Sequence, residues 1–141
     1  MALVDLPQGV QITFRDSILF DLGSDQLKSQ AMPVLHDVGG LINTVNNPIS
    51  IEGYTDDIPI AQPSHFRSNW ELSVDRALSV RQYLGSHTKI DHSRFRIVGY
   101  GKYHPAVPND SAAHRAENRR VNIVVIRKGN DSSGNSGSNA Q

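Results

Sequence analysis

The chain contains no cysteine and a single tryptophan. Without cysteine there is no disulfide framework, no thiolate nucleophile and no Cys-based zinc site. No stretch reaches the roughly 18 apolar residues of a membrane helix, and Met1-Ala2-Leu3-Val4-Asp5 lacks the basic start and apolar run of a signal peptide. An excess of either charge is also missing. The 14 Lys and Arg balance 14 Asp and Glu, which argues against nucleic-acid binding or a polybasic membrane contact, since both depend on surplus positive charge. What remains is 141 residues, 38% of them hydrophobic, enough for one well-buried core and not for two.

The zero is a sum of opposites. Up to Phe66 the chain carries two basic residues, Arg15 and Lys28, against eight acidic ones, so this part is −6 and the remainder +6. A fold that joins the two parts is expected to set carboxylates facing guanidiniums.

Residues 129–141 are almost entirely Gly, Ser and Asn and read as a disordered tail. Residues 1–9 read as a lead-in, leaving a folded domain over 10–128. Val10, Ile12 and Phe14 alternate along a first strand. After Ile18-Leu19-Phe20 and a turn at Gly23, Leu27, Ala31, Val34, Leu35, Val38, Leu41, Ile42 and Val45 recur at helical spacing. Pro33 places the regular helix start near it, and Asn46-Asn47-Pro48 ends the helix. Ile49 to Gly53 is a short strand, and Thr55 to Ser68 a loop. Ser68 and Glu71 in capping-box register open a second helix that Gly85 is expected to stop. A third strand spans Phe95 to Gly99, a long excursion Tyr100 to Asn118, and a last apolar strand Val121 to Ile126. This order, strand-helix-strand-helix-strand-strand, predicts a two-layer α/β sandwich with both helices on one face of a mixed sheet.

Chemistry has few places to sit. Thr55-Asp56-Asp57 follows the carboxyl end of the second strand, where open α/β sheets commonly form ligand crevices; two such carboxylates serve equally as turn-formers facing water, the commoner case. Arg76 lies near a helix N-terminus, where the dipole favours anions, so it answers a carboxylate: surface Glu71 or Asp75, or a ligand gripped by a bidentate fork. Arg119 and Arg120 open the last strand and must point to opposite faces, so at most one joins any site. The six histidines, His36, His65, His87, His92, His104 and His114, show no metal-site spacing. No phosphate loop or nucleophile with an adjacent base is present. The residues point to binding, with no cofactor and no metal.

Five strings add a resemblance: ILFDLGSDQL (Ile18 to Leu27), IEGYTDDIPI (Ile51 to Ile60), SNWELSVDRALSVRQYL (Ser68 to Leu84), VGYGKYHPAVPNDS (Val98 to Ser111) and RAENRRVNIVVIRK (Arg115 to Lys128). In order and spacing they resemble the OmpA-like peptidoglycan-binding domain, and Asn69-Trp70-Glu71-Leu72-Ser73 with the Pro-containing loop before it is most similar to the B subunits of flagellar motor stators. The resemblance implies an OmpA-like fold and a non-catalytic domain that grips the diaminopimelate of the peptidoglycan stem peptide through Asp56 and Arg76, with Asn69, Asn118 and Arg119 lining the same pocket. It also implies a homodimer, a stator A subunit as partner through a membrane segment that this chain does not contain, and a place on the periplasmic, cell-wall side of a single-pass cytoplasmic-membrane protein. Ile58, Ile60 and Phe66 are candidates for the dimer surface. On this reading Asp56→Ala or Arg76→Ala abolishes sedimentation with peptidoglycan and leaves the fold intact. The alternatives are a wall-anchoring domain of an outer-membrane porin or Pal-type lipoprotein without motor role, and a cell-wall peptide hydrolase using Asp56 and His65, for which no nucleophile or metal is in sight.

Overall fold

Val10, Ile12 and Phe14, alternating with polar residues, build β2, Gly9–Arg15, where the sequence predicts a strand. The computed structural model describes residues 1–127; the tail over 129–141 lies outside them. The elements run β1 (Ala2–Leu6), β2, the single turn α1 (Asp16–Leu19), α2 (Ala31–Ile42), β3 (Ile49–Tyr54), α3 (Asn69–His87), β4 (Phe95–Gly101), α4 (Ala112–Asn118) and β5 (Arg120–Ile126). The strands form one open sheet in the order β1-β2-β5-β3-β4. β3 and β4 are parallel and the other neighbours antiparallel, so the sheet is mixed as expected.

The register sets Ile12 opposite Ile123 and Ile123 opposite Ile51, aligning apolar side chains across three strands on one face. There they bury with Phe14, Ile49 and Val121 against Leu35, Val38 and Ile42 of α2 and Ala77, Val80 and Leu84 of α3. Thr13 and Asn122, one row along, belong to the other face and pair with each other at 2.9 Å.

Two elements depart from expectation. Residues 2–6, expected in a lead-in, form an edge strand paired from Ala2 opposite Thr13 to Leu6 opposite Gly9. Its side chains are nearly all exposed, so the backbone ladder holds it and no burial pattern marks it in the sequence. The excursion before β5 contains α4, capped by the Ser111 hydroxyl accepting from the His114 N–H at 3.1 Å; Asn118 is its one buried residue, so it too lacks an apolar stripe. Boundaries also move. α3 runs through Gly85 to His87, ending where the Thr88 hydroxyl takes the Leu84 carbonyl. α2 stops at Ile42, before Asn46, as the Thr44 hydroxyl takes the Leu41 carbonyl at 2.6 Å. Pro33 falls in the first turn of α2, where a missing N–H costs nothing.

Gly53 brings β3 and α3 into register for everything that follows. A Cβ at this position would lie 2.1 Å from the Ser73 carbonyl oxygen of α3, a backbone atom that cannot swing aside. Gly53→Ala is therefore expected to separate the two elements and cost about 3 kcal/mol of stability, read as a lowered midpoint in thermal or urea unfolding.

Candidate functional site

At the carboxyl end of β3 the chain turns sharply and fixes its own carboxylate. The Thr55 N–H bonds to the Gly101 carbonyl of β4 at 2.8 Å, and Asp56 Oδ1 accepts from the Ile58 N–H at 3.0 Å. Asn69, first residue of α3, donates Nδ2 to the carbonyls of Asp56 (3.3 Å) and Ile58 (2.9 Å), clamping that turn to the helix start. The helix start is itself set by the predicted cap, the Ser68 hydroxyl accepting from the Glu71 N–H at 3.2 Å.

Arg76, on the buried side of α3, is only 2% exposed. Its partner is neither Glu71 nor Asp75 but Asp16, from α1: Nη1 donates to Asp16 Oδ2 at 3.0 Å. The rest of the fork is used by the Ser24 carbonyl, 2.8 Å from Nε, and the Asp21 carbonyl, 3.3 Å from Nη2. The guanidinium also lies 5.0 Å from the centre of the Phe20 ring. Burial pulls the Arg76 pKa down, and the Asp16 charge acts in the opposite direction.

Arg119 completes the group from the junction of α4 and β5. Its Nη1 donates to Asp56 Oδ2 at 2.8 Å, and its Nε stands 3.5 Å from Asp16 Oδ2. That Nε is buried and makes no hydrogen bond among the described residues. The order is thus Asp56, Arg119, Asp16, Arg76, with charges alternating and cancelling. All four line a single cavity of about 540 Å³, whose other wall is apolar, with Leu22, Ile58 and Leu72. Asn69 borders it as well. A closed, neutral row of ion pairs beside an apolar wall fits a zwitterionic ligand with an aliphatic stem: each inserted charge takes the place of the partner it displaces, so no buried charge is left alone.

Four of the five expected residues, Asp56, Asn69, Arg76 and Arg119, therefore meet. Asn118 does not. Its side chain is fully buried and accepts from the N–H groups of Ala106 (2.8 Å) and Val107 (3.1 Å) while donating to the Val107 carbonyl and to Asn109. Every polar position is occupied in fixing the loop before α4, away from the cavity. Arg120 points to the other face and stacks on Tyr54, its guanidinium carbon 3.7 Å from the ring centre. There, burial first and then Glu52 push the Tyr54 phenol above its usual range. Of the loop side chains expected at a dimer surface, Phe66 is buried, whereas Ile58 is exposed and, with Ile60, borders the cavity.

The profile of the OmpA family matches residues 19–119. The chain belongs to the OmpA family. Motility protein B of Bacillus subtilis (strain 168) is 38% identical over 124 residues, covering 86% of this chain and 47% of that protein. The chain spans about half the length of the curated relatives it matches. Among solved structures, the periplasmic domain of Helicobacter pylori MotB superposes with a TM-score of 0.83 at 28% identity, covering 93% of this chain and 84% of that one. The cell wall anchor of the T6SS from Pseudomonas aeruginosa gives 0.83 at 33% identity, covering 90% of this chain and 87% of the other.

One site residue of this OmpA-family domain escaped the sequence reading. Asp16 touches both arginines, yet in the sequence it is one acidic residue following Arg15 at a strand end, indistinguishable from a carboxylate opening a helical turn. The available signal was the charge segregation. Asp16 and Asp56 from the acidic part meet Arg76 and Arg119 from the basic part, while Asp57 meets Arg115 and Asp5 meets Arg127 across the same divide.

Proposed function

We propose that this OmpA-family domain is a non-catalytic peptidoglycan anchor, and that it grips the diaminopimelate of the stem peptide in the cavity between Asp56 and Arg76. The observation that carries the reading is the alternating row of Asp56, Arg119, Asp16 and Arg76 in one cavity. Diaminopimelate presents an ammonium and a carboxylate on one carbon at the end of an aliphatic chain. The ammonium goes to Asp56. The carboxylate goes to Arg119, whose buried Nε is an unused donor, with Arg76 behind it. The methylenes lie along Ile58 and Leu72. Charge-assisted bonds of this kind contribute roughly 1.5–3 kcal/mol each.

The likeness to Motility protein B and to the MotB periplasmic domain supports placing the parent in a flagellar motor stator, with this domain on the periplasmic side. No helix among the described residues is long and apolar enough to cross a membrane; a single-pass anchor and a contact with a stator A subunit are part of the same proposal for the parent. Pairing of two such domains as a homodimer sets two cavities on one polymer, where effective concentration multiplies modest single-site affinities. A wall-anchoring role outside the motor is the second reading, favoured by the equal likeness to the T6SS cell wall anchor.

Incubation with purified, insoluble peptidoglycan tests the function itself. The expected result is saturable co-sedimentation without release of soluble muropeptides. Protein that stays in the supernatant overturns the anchor, and muropeptide release replaces it with a hydrolase.

A further inference from the structure

Two consecutive carboxylates after β3 are gripped by two arginines one helical turn apart. Arg119 donates Nη1 to Asp56 Oδ2 at 2.8 Å, and Arg115 donates Nε to Asp57 Oδ1 at 3.2 Å. The Arg119 N–H closes the last turn of α4 on the Arg115 carbonyl at 3.1 Å, which sets the spacing of the two guanidiniums. The two pairs differ in where they lie. Asp56 and Arg119 line the main cavity, whereas neither Asp57 nor Arg115 does; their side chains are 45% and 30% exposed.

The helix that carries both arginines depends on polar ties. α4 has seven residues and Asn118 is its one buried side chain, so neither its length nor an apolar stripe seats it. Asn118 holds the N–H groups of Ala106 and Val107, Glu117 stands 3.9 Å from Arg15 of β2, and Arg115 donates Nη2 to the Asn109 carbonyl at 3.0 Å. Through its other contact, with Asp57, Arg115 joins three segments: α4, the loop ahead of it and the turn after β3.

A ligand carrying both charges opens the inner pair, because its ammonium takes Asp56 and its carboxylate takes Arg119. The turn and α4 then keep one ion pair between them among the described residues, Asp57 with Arg115, outside the cavity where the ligand does not compete for it. Resting on the reading of the main cavity as a stem-peptide site, we propose that Asp57 and Arg115 are a positioning pair. They hold the turn after β3 against α4 in the free and the occupied domain, and so keep Asp56 and Arg119 at the separation that the ligand charges require. Neither touches the ligand. An exposed pair adds little to folding; its effect is on the preorganisation of the site.

Asp57→Ala in the full chain tests this with two readouts. The first needs no ligand: hydrogen exchange of the Ile58 N–H, which bonds to Asp56 Oδ1 at 3.0 Å and reports whether the turn is closed. The second is calorimetric titration with a diaminopimelate-containing stem peptide. The expected results are faster exchange at Ile58 and a roughly threefold to fivefold loss of affinity, the range that an exposed ion pair supports, at an unchanged melting temperature. Exchanging the charges, Asp57→Arg with Arg115→Asp, restores both. In the Asp56→Asn background the loss from Asp57→Ala shrinks, because half of what the pair positions is already gone. A full additive loss in that background shows that Asp57 meets the ligand directly and overturns the positioning role. Unchanged exchange and affinity overturn it too and leave the main site standing, as does a fall in melting temperature that accounts for the lost affinity. Faster exchange in the variant, with no stem-peptide binding by the unsubstituted chain, overturns the stem-peptide reading alone, since the pair still holds the turn.

Discussion

Arg76→Ala is expected to destabilise the domain by about 3–5 kcal/mol, because it leaves the buried Asp16 carboxylate without its closest partner. For a domain of this size that is a fall of roughly 10–20 °C in melting temperature. The Ser24 and Asp21 carbonyls lose their donors in the same step. This corrects the expectation from sequence that an alanine at this position removes binding and spares the fold. A ligand-facing arginine tolerates truncation; one that is 2% exposed and bonded to three groups of its own chain does not. The structural and binding roles separate in the double variant Arg76→Leu with Asp16→Leu. Replacing a buried ion pair by apolar side chains is often close to neutral, so the pair of substitutions recovers most of the lost stability. Binding to peptidoglycan stays lost. Recovery of both in the double variant removes Arg76 from the site.

Asp56→Asn is the complementary case and is expected to weaken binding strongly with little effect on folding. The amide oxygen still accepts from the Ile58 N–H, so the turn after β3 keeps its shape. What disappears is the negative charge proposed to meet the ligand ammonium, together with the charge-assisted bond from Arg119. A loss of about 1.5–3 kcal/mol corresponds to a roughly 10- to 150-fold fall in affinity for the stem peptide, measured by calorimetry beside an unchanged far-ultraviolet circular dichroism spectrum. Arg119, 28% exposed along its side chain, turns to solvent without leaving a buried charge behind. The contrast between the two positions follows from burial and partners alone: both are charged and both line the cavity, but only one also holds α3 to α1.

The parts of this design that were legible in the sequence are those where a local pattern and the tertiary structure agree. The alternation of Val10, Ile12 and Phe14 named β2, and Ser68 with Glu71 named the start of α3, because each pattern is a direct record of burial or capping. The opposition of an acidic first part and a basic second part anticipated the ion pairs that join Asp16 and Asp56 to Arg76 and Arg119. β1 and α4 went unseen since neither buries a stripe, one being a ladder of exposed residues and the other a short capped turn around Asn118. Asn118 itself was placed in the site by the family resemblance, as half of the Asn118-Arg119 pair. One position along the chain reverses the role: Arg119 reaches Asp56, whereas Asn118 turns inward and is consumed by the loop at residues 106–109. Asp16 was hidden for the opposite reason, since its importance comes entirely from residues 60 positions or more away.

The central claim is that the cavity recognises an ammonium and a carboxylate carried together at the end of the stem-peptide side chain. Two synthetic stem peptides differing at one residue, diaminopimelate or lysine, separate that pair of charges from the rest of the peptide, because lysine keeps the ammonium and lacks the neighbouring carboxylate. Titration of each into the full chain, followed by the NMR signals of Asp16, Asp56, Asn69, Arg76 and Arg119, is the decisive measurement. The expected result is saturable shifts at these residues with the diaminopimelate peptide and at least a tenfold weaker response with the lysine peptide. Equal responses to both peptides, or shifts that leave these five residues untouched, contradict it.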